Sequence, residues 1–209
     1  MKINGTNINR FILNGVEIFR VMLNGANLIQ GIHDYFNRED SSILGVSDTG
    51  QTWVQIQGAL SIRNNTAKAS ATAMNSSESM INSGLVDYNI SVDFNYVSGN
   101  TTTLSFRSAG SSSNNKMFVQ LTYSNMVMRR NIAGAVVTVG TYARTFSSGT
   151  YNVRVNVKGN VFTVYVDDVL VLTVTDDNAL KNYTGVGLYT YSYNAVPTAS
   201  FNNFKVEPI

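Results

Sequence analysis

The strongest constraint on this chain is the spacing of its apolar residues. Tyr151, Val153, Val155 and Val157 alternate with Asn152, Arg154 and Asn156. A period of two puts each set on its own face of a β-strand. Alternating or apolar runs also occupy 51–57, 59–63, 86–97, 102–108, 117–123, 126–132, 135–142, 161–166, 169–175, 186–193 and 199–206. Turn-forming clusters divide them, among them Ser98-Gly99-Asn100, residues 110–115, Ser147-Ser148-Gly149 and Gly159-Asn160. Only 176–181 reads as a helical turn. Many short strands at roughly ten-residue spacing specify an all-β sandwich or barrel, and a two-sheet jelly roll fits the length best.

Composition narrows the function. Charged residues are 13% of the 209, where ordinary soluble domains carry about 25%. Asn, Ser and Thr (26, 21 and 19 residues, 66 in all) take their place. There is no cysteine, which removes disulfides, thiolate metal sites and cysteine nucleophiles. One histidine, His33, leaves no His-clustered zinc site and is expected to be a linker residue. No apolar run approaches the roughly 18 residues of a transmembrane span, and Met1-Lys2-Ile3-Asn4-Gly5 does not open a signal peptide. No membrane insertion is therefore expected. Residues 1–30 hold Lys2, Arg10, Arg20 and Glu17, a net +2. The remaining 12 basic and 12 acidic side chains cancel, so no basic face for nucleic acid is expected.

Asn-Gly recurs at Asn4-Gly5, Asn14-Gly15 and Asn24-Gly25. Both residues tolerate positive φ, and a two-residue type I′ turn matches strand twist. The spacing predicts a small antiparallel β-meander over 1–30, with Leu13 facing Val16, Phe11 facing Ile18, Arg10 facing Phe19 and Ile8 facing Val21. Both of its faces are substantially apolar, and so small a ribbon cannot cover both. The segment should be buried against its own main domain, a symmetry mate or another protein. Residues 1–30 are thus read as an attachment or oligomerisation segment, and 31–209 as the sandwich.

Face assignments follow strand by strand. Val92, Phe94 and Tyr96 point inward, and Asp93 points outward. Leu104 and Phe106 point inward, with Ser105 and Arg107 outward. Val119, Leu121 and Tyr123 point inward, with Phe118, Gln120 and Thr122 outward. Met126 and Met128 point inward, with Val127, Arg129 and Asn131 outward. If successive strands are neighbours, Asp93, Arg107, Gln120 and Arg129 share one outer face, concave if the sheet curves. Such a row suits the hydroxyls of a sugar; it suits equally a solvated sheet face. Tyr189, Tyr191 and Tyr193 alternate, and are either a stacking platform, with Tyr191 the candidate, or core. Trp53 is expected in the core.

Asp34-Tyr35-Phe36-Asn37-Arg38, then Gly45, Gly50 and Trp53, resembles the opening "D-x-F-x-R … G … G-x-x-W" of concanavalin A-like (laminin-G-like) jelly rolls. Residues 159–168 look like that group's "G-n-x-f-x-V-y-v-D-G" hairpin, with Asp168 where Gly is usual. Gly185-Val186-Gly187-Leu188-Tyr189 and Phe201-Asn202-Asn203-Phe204-Lys205-Val206 resemble its ending. The resemblance covers about 180 residues and implies a concanavalin A-like two-sheet jelly roll. Lectins, hydrolases and structural modules share that fold. The N-terminal beats look like short meanders in tail and baseplate proteins of phages of Gram-positive bacteria. That implies a virion protein assembled in the bacterial cytoplasm.

A glycosidase needs two carboxylates flanking the scissile bond. Of the four glutamates, Glu17, Glu39, Glu78 and Glu207, none is expected mid-strand in the sandwich, and no E-x-D-x-x-E strand occurs. No G-x-S-x-G elbow accompanies His33. No cofactor is expected; Asp34, Asp40, Asp48, Asp167-Asp168 and Asp176-Asp177 in turns leave a structural Ca²⁺ open. The sequence reading is a non-enzymatic, homo-oligomeric tail or baseplate protein. Its jelly roll binds host cell-wall polysaccharide through Asp93, Arg107, Gln120, Arg129 and Tyr191, and residues 1–30 join it to other virion proteins. The alternatives are a purely structural virion protein and, behind it, a polysaccharide-cleaving enzyme.

Overall fold

The structure is a computed structural model. It describes residues 31–70, 75–110, 114–177 and 180–209, and the backbone of six two-residue strands within 1–30. Those six are β1 (Lys2–Ile3), β2 (Thr6–Asn7), β3 (Ile12–Leu13), β4 (Val16–Glu17), β5 (Met22–Leu23) and β6 (Ala26–Asn27). They pair as three hairpins in one register, Ile3 with Thr6, Leu13 with Val16 and Leu23 with Ala26, each across one Asn-Gly. The wider pairs Phe11–Ile18, Arg10–Phe19 and Ile8–Val21 lie outside the described residues.

The main body begins with β7 (Ile32–Asp34), β8 (Val54–Gln57), β9 (Leu60–Arg63), β10 (Thr66–Ala69) and β11 (Ser76–Asn82). It continues through β12 (Tyr88–Tyr96), β13 (Asn100–Ser108), β14 (Asn115–Leu121), β15 (Asn125–Ile132) and β16 (Ala135–Ala143). The last strands are β17 (Gly149–Lys158), β18 (Val161–Val166), β19 (Val169–Thr175), β20 (Gly185–Ser192) and β21 (Ser200–Pro208). One sheet runs β19-β18-β17-β12-β21-β10-β9, with β7 also on β21, and the other runs β16-β15-β14-β13-β20-β11-β8. All pairings are antiparallel. The described part of 176–181 forms turns rather than the expected helical turn.

The inward sets named from alternation meet between the sheets. Val92, Phe94 and Tyr96 from one sheet and Leu104, Phe106, Val119, Leu121, Met126 and Met128 from the other are all buried in one core. Each such side chain contributes about 1.5–3 kcal/mol. Tyr123 was expected inside but is 59% exposed, because β14 ends at Leu121 and the chain turns there. His33 is not a linker: it sits in β7, opposite Lys205 of β21, with its Nε2 3.5 Å from Glu207 Oε1.

The segment 34–53 is organised by one carboxylate. Asp34 is fully buried. Its Oδ1 accepts from Phe36 N at 2.9 Å and Arg38 Nη1 at 2.7 Å; its Oδ2 accepts from Arg38 Nη2 at 3.0 Å and Trp53 Nε1 at 2.8 Å. Arg38 Nη2 also donates to Leu44 O at 2.7 Å, and Trp53 N to Gly45 O at 2.9 Å. The indole packs edge-on against Phe204 at 5.1 Å. A buried charge needs several donors at once, and Phe36 N, Arg38 and Trp53 supply them here.

Asp34→Ala should therefore cost about 3–5 kcal/mol, since it removes the buried acceptor of four hydrogen bonds from Phe36, Arg38 and Trp53 at once. Trp53→Phe, which removes one donor, should cost about 1–3 kcal/mol. Denaturant unfolding of the two variants reads the difference, and equal losses would contradict the assignment.

Candidate functional site

The seven-stranded sheet turns one face to the core and the other outward. Pairing registers align its outward residues in transverse rows. One row runs Gln57 (β8), Glu78 (β11), Tyr189 (β20), Thr103 (β13), Gln120 (β14), Val127 (β15) and Thr141 (β16). The next runs Met80, Gly187, Ser105, Phe118, Arg129 and Thr138. A cavity of about 230 Å³ opens on this face, and all seven strands line it. A face on which every strand reaches one cavity is dished, so this is the concave side.

The floor of the cavity is an ion pair. Lys116 Nζ donates to Glu78 Oε1, and both side chains are at most 8% exposed. The pair joins β14 to β11 across the two intervening strands. Those strands carry Ser105 and Gly187 on this face, too small to block the lysine's path. Gly187 is needed there, since a Cβ would meet Ser79 O at 2.6 Å and Met80 Cγ at 2.7 Å. The ammonium also lies 5.6 Å from the ring centres of Phe118 and Tyr189, where the ring faces attract it. Burial pushes the Tyr189 phenol up to about 12, and the Glu78 charge and Tyr191 push the same way, against a hydrogen bond with Ser76. The phenol is thus a neutral hydrogen-bonding group at any physiological pH.

On the far side, Arg129 Nη1 donates to Gln120 Oε1 at 2.8 Å and Nε to Thr138 Oγ1 at 3.3 Å. Gln57 Nε2 donates to Ser76 Oγ at 2.8 Å. Thr103 lies on the floor, 1% exposed, with no hydrogen-bond partner for its Oγ1 among the described residues. The site therefore offers amide, hydroxyl and guanidinium groups beside two aromatic rings.

Of the residues expected here from sequence, Gln120 and Arg129 meet in the cavity. Tyr191 is on the same face, one row beyond Tyr189 and opposite Thr101 and Ser76, and does not line the cavity. Asp93 is on the other sheet. After Tyr96 the chain crosses between sheets, so β12 and β13 are not neighbours. Asp93 accepts there from Asn152 Nδ2 at 2.7 Å and Asn203 Nδ2 at 2.6 Å. Arg107 is 1% exposed and faces inward. It takes φ +45° at a bulge, where the ladder to β20 shifts between Ser105 and Ser108. The bulge turns its side chain to Val86 O at 2.8 Å, Asp87 Oδ1 at 3.2 Å and the Phe162 ring at 5.7 Å.

Glu78, Lys116 and Thr103 were missed as site residues, and of the three alternating tyrosines it is Tyr189, not the favoured Tyr191, that lines the cavity. Glu78 was expected outside the strands but stands mid-strand in β11. Ser76-Ser77-Glu78-Ser79 shows no apolar alternation, and only the following Met80-Ile81 hints at a strand. Lys116 follows a run of serines and asparagines that reads as a turn.

The carboxylates named for calcium are individually engaged. Asp34 binds Arg38, Asp40 accepts from Asn64 N, Asp48 from Tyr35 N and Asp167 from Asn152 N; Asp168 faces Arg154, Asp176 faces Arg130 and Asp177 accepts from Asn160. Among the described residues no group of three or more His, Cys, Asp or Glu could hold a metal ion.

No protein-family model and no curated protein matches the chain. Solved structures do. A protein of unknown function from Shewanella oneidensis MR-1 superposes with TM-score 0.63 at 17% identity, over 85% of each chain. A β-1,3-1,4-glucanase (lichenase) derived from a mouse hindgut metagenome gives 0.60 at 10% identity, over 87% of this chain and all of that one. A carbohydrate-binding module from Bacillus subtilis gives 0.56 at 19% identity, over 73% of this chain and 94% of that one. The chain has a concanavalin A-like jelly-roll fold. Its residues 34–53 thereby serve the fold that their motif resembles.

The ion pair on the jelly roll's floor has a measurable consequence. Glu78→Ala leaves the Lys116 ammonium buried alone and should cost about 3–5 kcal/mol of unfolding free energy. Glu78→Met with Lys116→Met should recover most of it, because removing both charges is often neutral. A Glu78→Ala protein as stable as the parent would contradict the buried pair.

Proposed function

We propose that this protein binds saccharide non-catalytically in the cleft of the seven-stranded sheet and carries that domain on a phage tail or baseplate. The observation that carries the binding reading is the row Gln57–Glu78–Tyr189–Thr103–Gln120 with Arg129 beside it. A sugar presents hydroxyls around an apolar ring face, and this row presents amides, hydroxyls and aromatic rings in one dished surface. The fold's neighbours support the reading, since a carbohydrate-binding module and glucanases are among them.

A second reading, polysaccharide cleavage, is favoured by one observation: a buried carboxylate, Glu78, lines the cleft. A glycosidase needs a second carboxylate, about 5–5.5 Å away to retain configuration or about 6.5–9.5 Å away to invert it. Glu78 is the one carboxylate among the described residues lining this cavity, and Lys116 binds it. Binding without cleavage is therefore the reading we hold.

The virion context rests on residues 1–30. Three Asn-Gly hairpins ten residues apart share one register. No pairing joins them to one another or to the sandwich among the described residues. A hairpin this small is not stable alone, so the segment needs a covering surface. Its resemblance to tail meanders makes that surface another copy or another virion protein. Residues 31–209 would then face the host's cell-wall polysaccharide.

Affinity electrophoresis against host cell-wall polysaccharide tests the binding reading. Retardation of the parent protein is expected, weakened about tenfold or more by Gln120→Ala or Tyr189→Ala, with no release of reducing ends. No retardation on any polysaccharide would sink it, and reducing-end release abolished by Glu78→Gln would move the assignment to the second reading.

A further inference from the structure

Three charged side chains line the cleft, and only two cancel. Glu78 and Lys116 neutralise one another. Arg129 is positioned by two neutral acceptors, Gln120 Oε1 and Thr138 Oγ1. Arg38, Arg63, Arg107, Arg130 and Arg154 each stand within ion-pair distance of a carboxylate, and Arg144, outside the cleft, lies instead over the rings of Phe146 and Tyr151. Arg129 faces none among the described residues. Its neighbour in sequence shows the contrast. Arg130 points the opposite way and is closed off by Asp176, whereas Arg129 points into the cleft, where its partners are neutral.

A guanidinium has five N–H donors. Two of them serve Gln120 and Thr138, which leaves three. The two bonds already made fix the plane of the group. Planar, oriented guanidinium edges match the paired oxygens of carboxylate and phosphate. Thr103, with its buried hydroxyl, lies beside Gln120 on the same floor. A neutral sugar would use the amides of Gln57 and Gln120 but leave the Arg129 charge uncompensated.

We infer that the cleft selects an acidic saccharide, one whose carboxylate or phosphate oxygens dock on Arg129 while its hydroxyls meet the side-chain amides of Gln57 and Gln120. This rests on the saccharide-binding reading above. The shared chemistry is a sugar-borne oxyanion, supplied either by a uronic acid or by a phosphodiester polymer of the cell wall.

The test is calorimetric titration of the full chain with three polymers of matched length: polygalacturonate, a glycosylated poly(glycerol phosphate) and a neutral mixed-linkage β-glucan. One of the two anionic polymers should bind about tenfold or more tightly than the neutral one. Arg129→Gln should remove that advantage, and Arg129→Lys should keep part of it. Arg154→Gln, an equal charge change on the other sheet, should leave it intact. The anionic polymer that binds identifies the source of the oxyanion. Equal affinity for the neutral glucan, or equal losses in Arg129→Gln and Arg154→Gln, would overturn the inference while leaving saccharide binding standing. Binding of none of the three would remove both.

Discussion

The buried carboxylate of Asp34 is the interaction on which the arrangement of this sandwich depends. It gathers a backbone amide, a guanidinium and an indole N–H from residues up to 19 positions away. Through Trp53 it clamps the loop from β7 onto Phe204 of β21, a central strand of the eight-stranded sheet. Trp53 directly precedes β8, the edge strand of the other sheet, and β8 carries Gln57 into the cleft. One charge thus fixes where the chain leaves one sheet and joins the other. Such a charge is tolerable inside a protein only because each of its oxygens accepts two hydrogen bonds.

The cleft repeats this logic with the opposite outcome. Glu78 and Lys116 satisfy one another on the floor, and two aromatic rings flank the ammonium. A hydrophobic pair of similar volume would hold the sheet as well or better. What the ion pair adds is a flat, polar floor. Above it, Gln120 and Thr138 orient Arg129 without neutralising it. The site is polar by construction, and its one uncompensated charge is the basis of the preference proposed for acidic sugars.

The fold was legible because alternation is a strong signal. Val153, Val155 and Val157, or Val92, Phe94 and Tyr96, can face only one core. The motif around Asp34 was legible by resemblance, and its hydrogen bonds show what those residues do together in this chain. What alternation cannot supply is sheet membership. Asp93 and Gln120 both read as outward, yet they face solvent on opposite sides of the sandwich, because the chain changes sheets between β12 and β13. Nor does it supply bulges: the left-handed backbone at Arg107 reversed a side chain that strict alternation sends outward. Half of the expected row, Gln120 and Arg129, therefore shares one cavity. Glu78 was hidden in a serine-rich strand where Ser77 and Ser79 take two of the inward positions and only Ile81 is apolar there, so no periodicity announced it.

The central claim is that ligand binds the dished face of the seven-stranded sheet. Backbone amide shifts, followed by NMR while an acidic oligosaccharide is titrated, test it most directly. The account predicts that shifts concentrate at Glu78, Thr103, Gln120, Arg129 and Tyr189. Shifts centred instead on Asp93, Asn152 and Asn203, on the outer face of the other sheet, would contradict it.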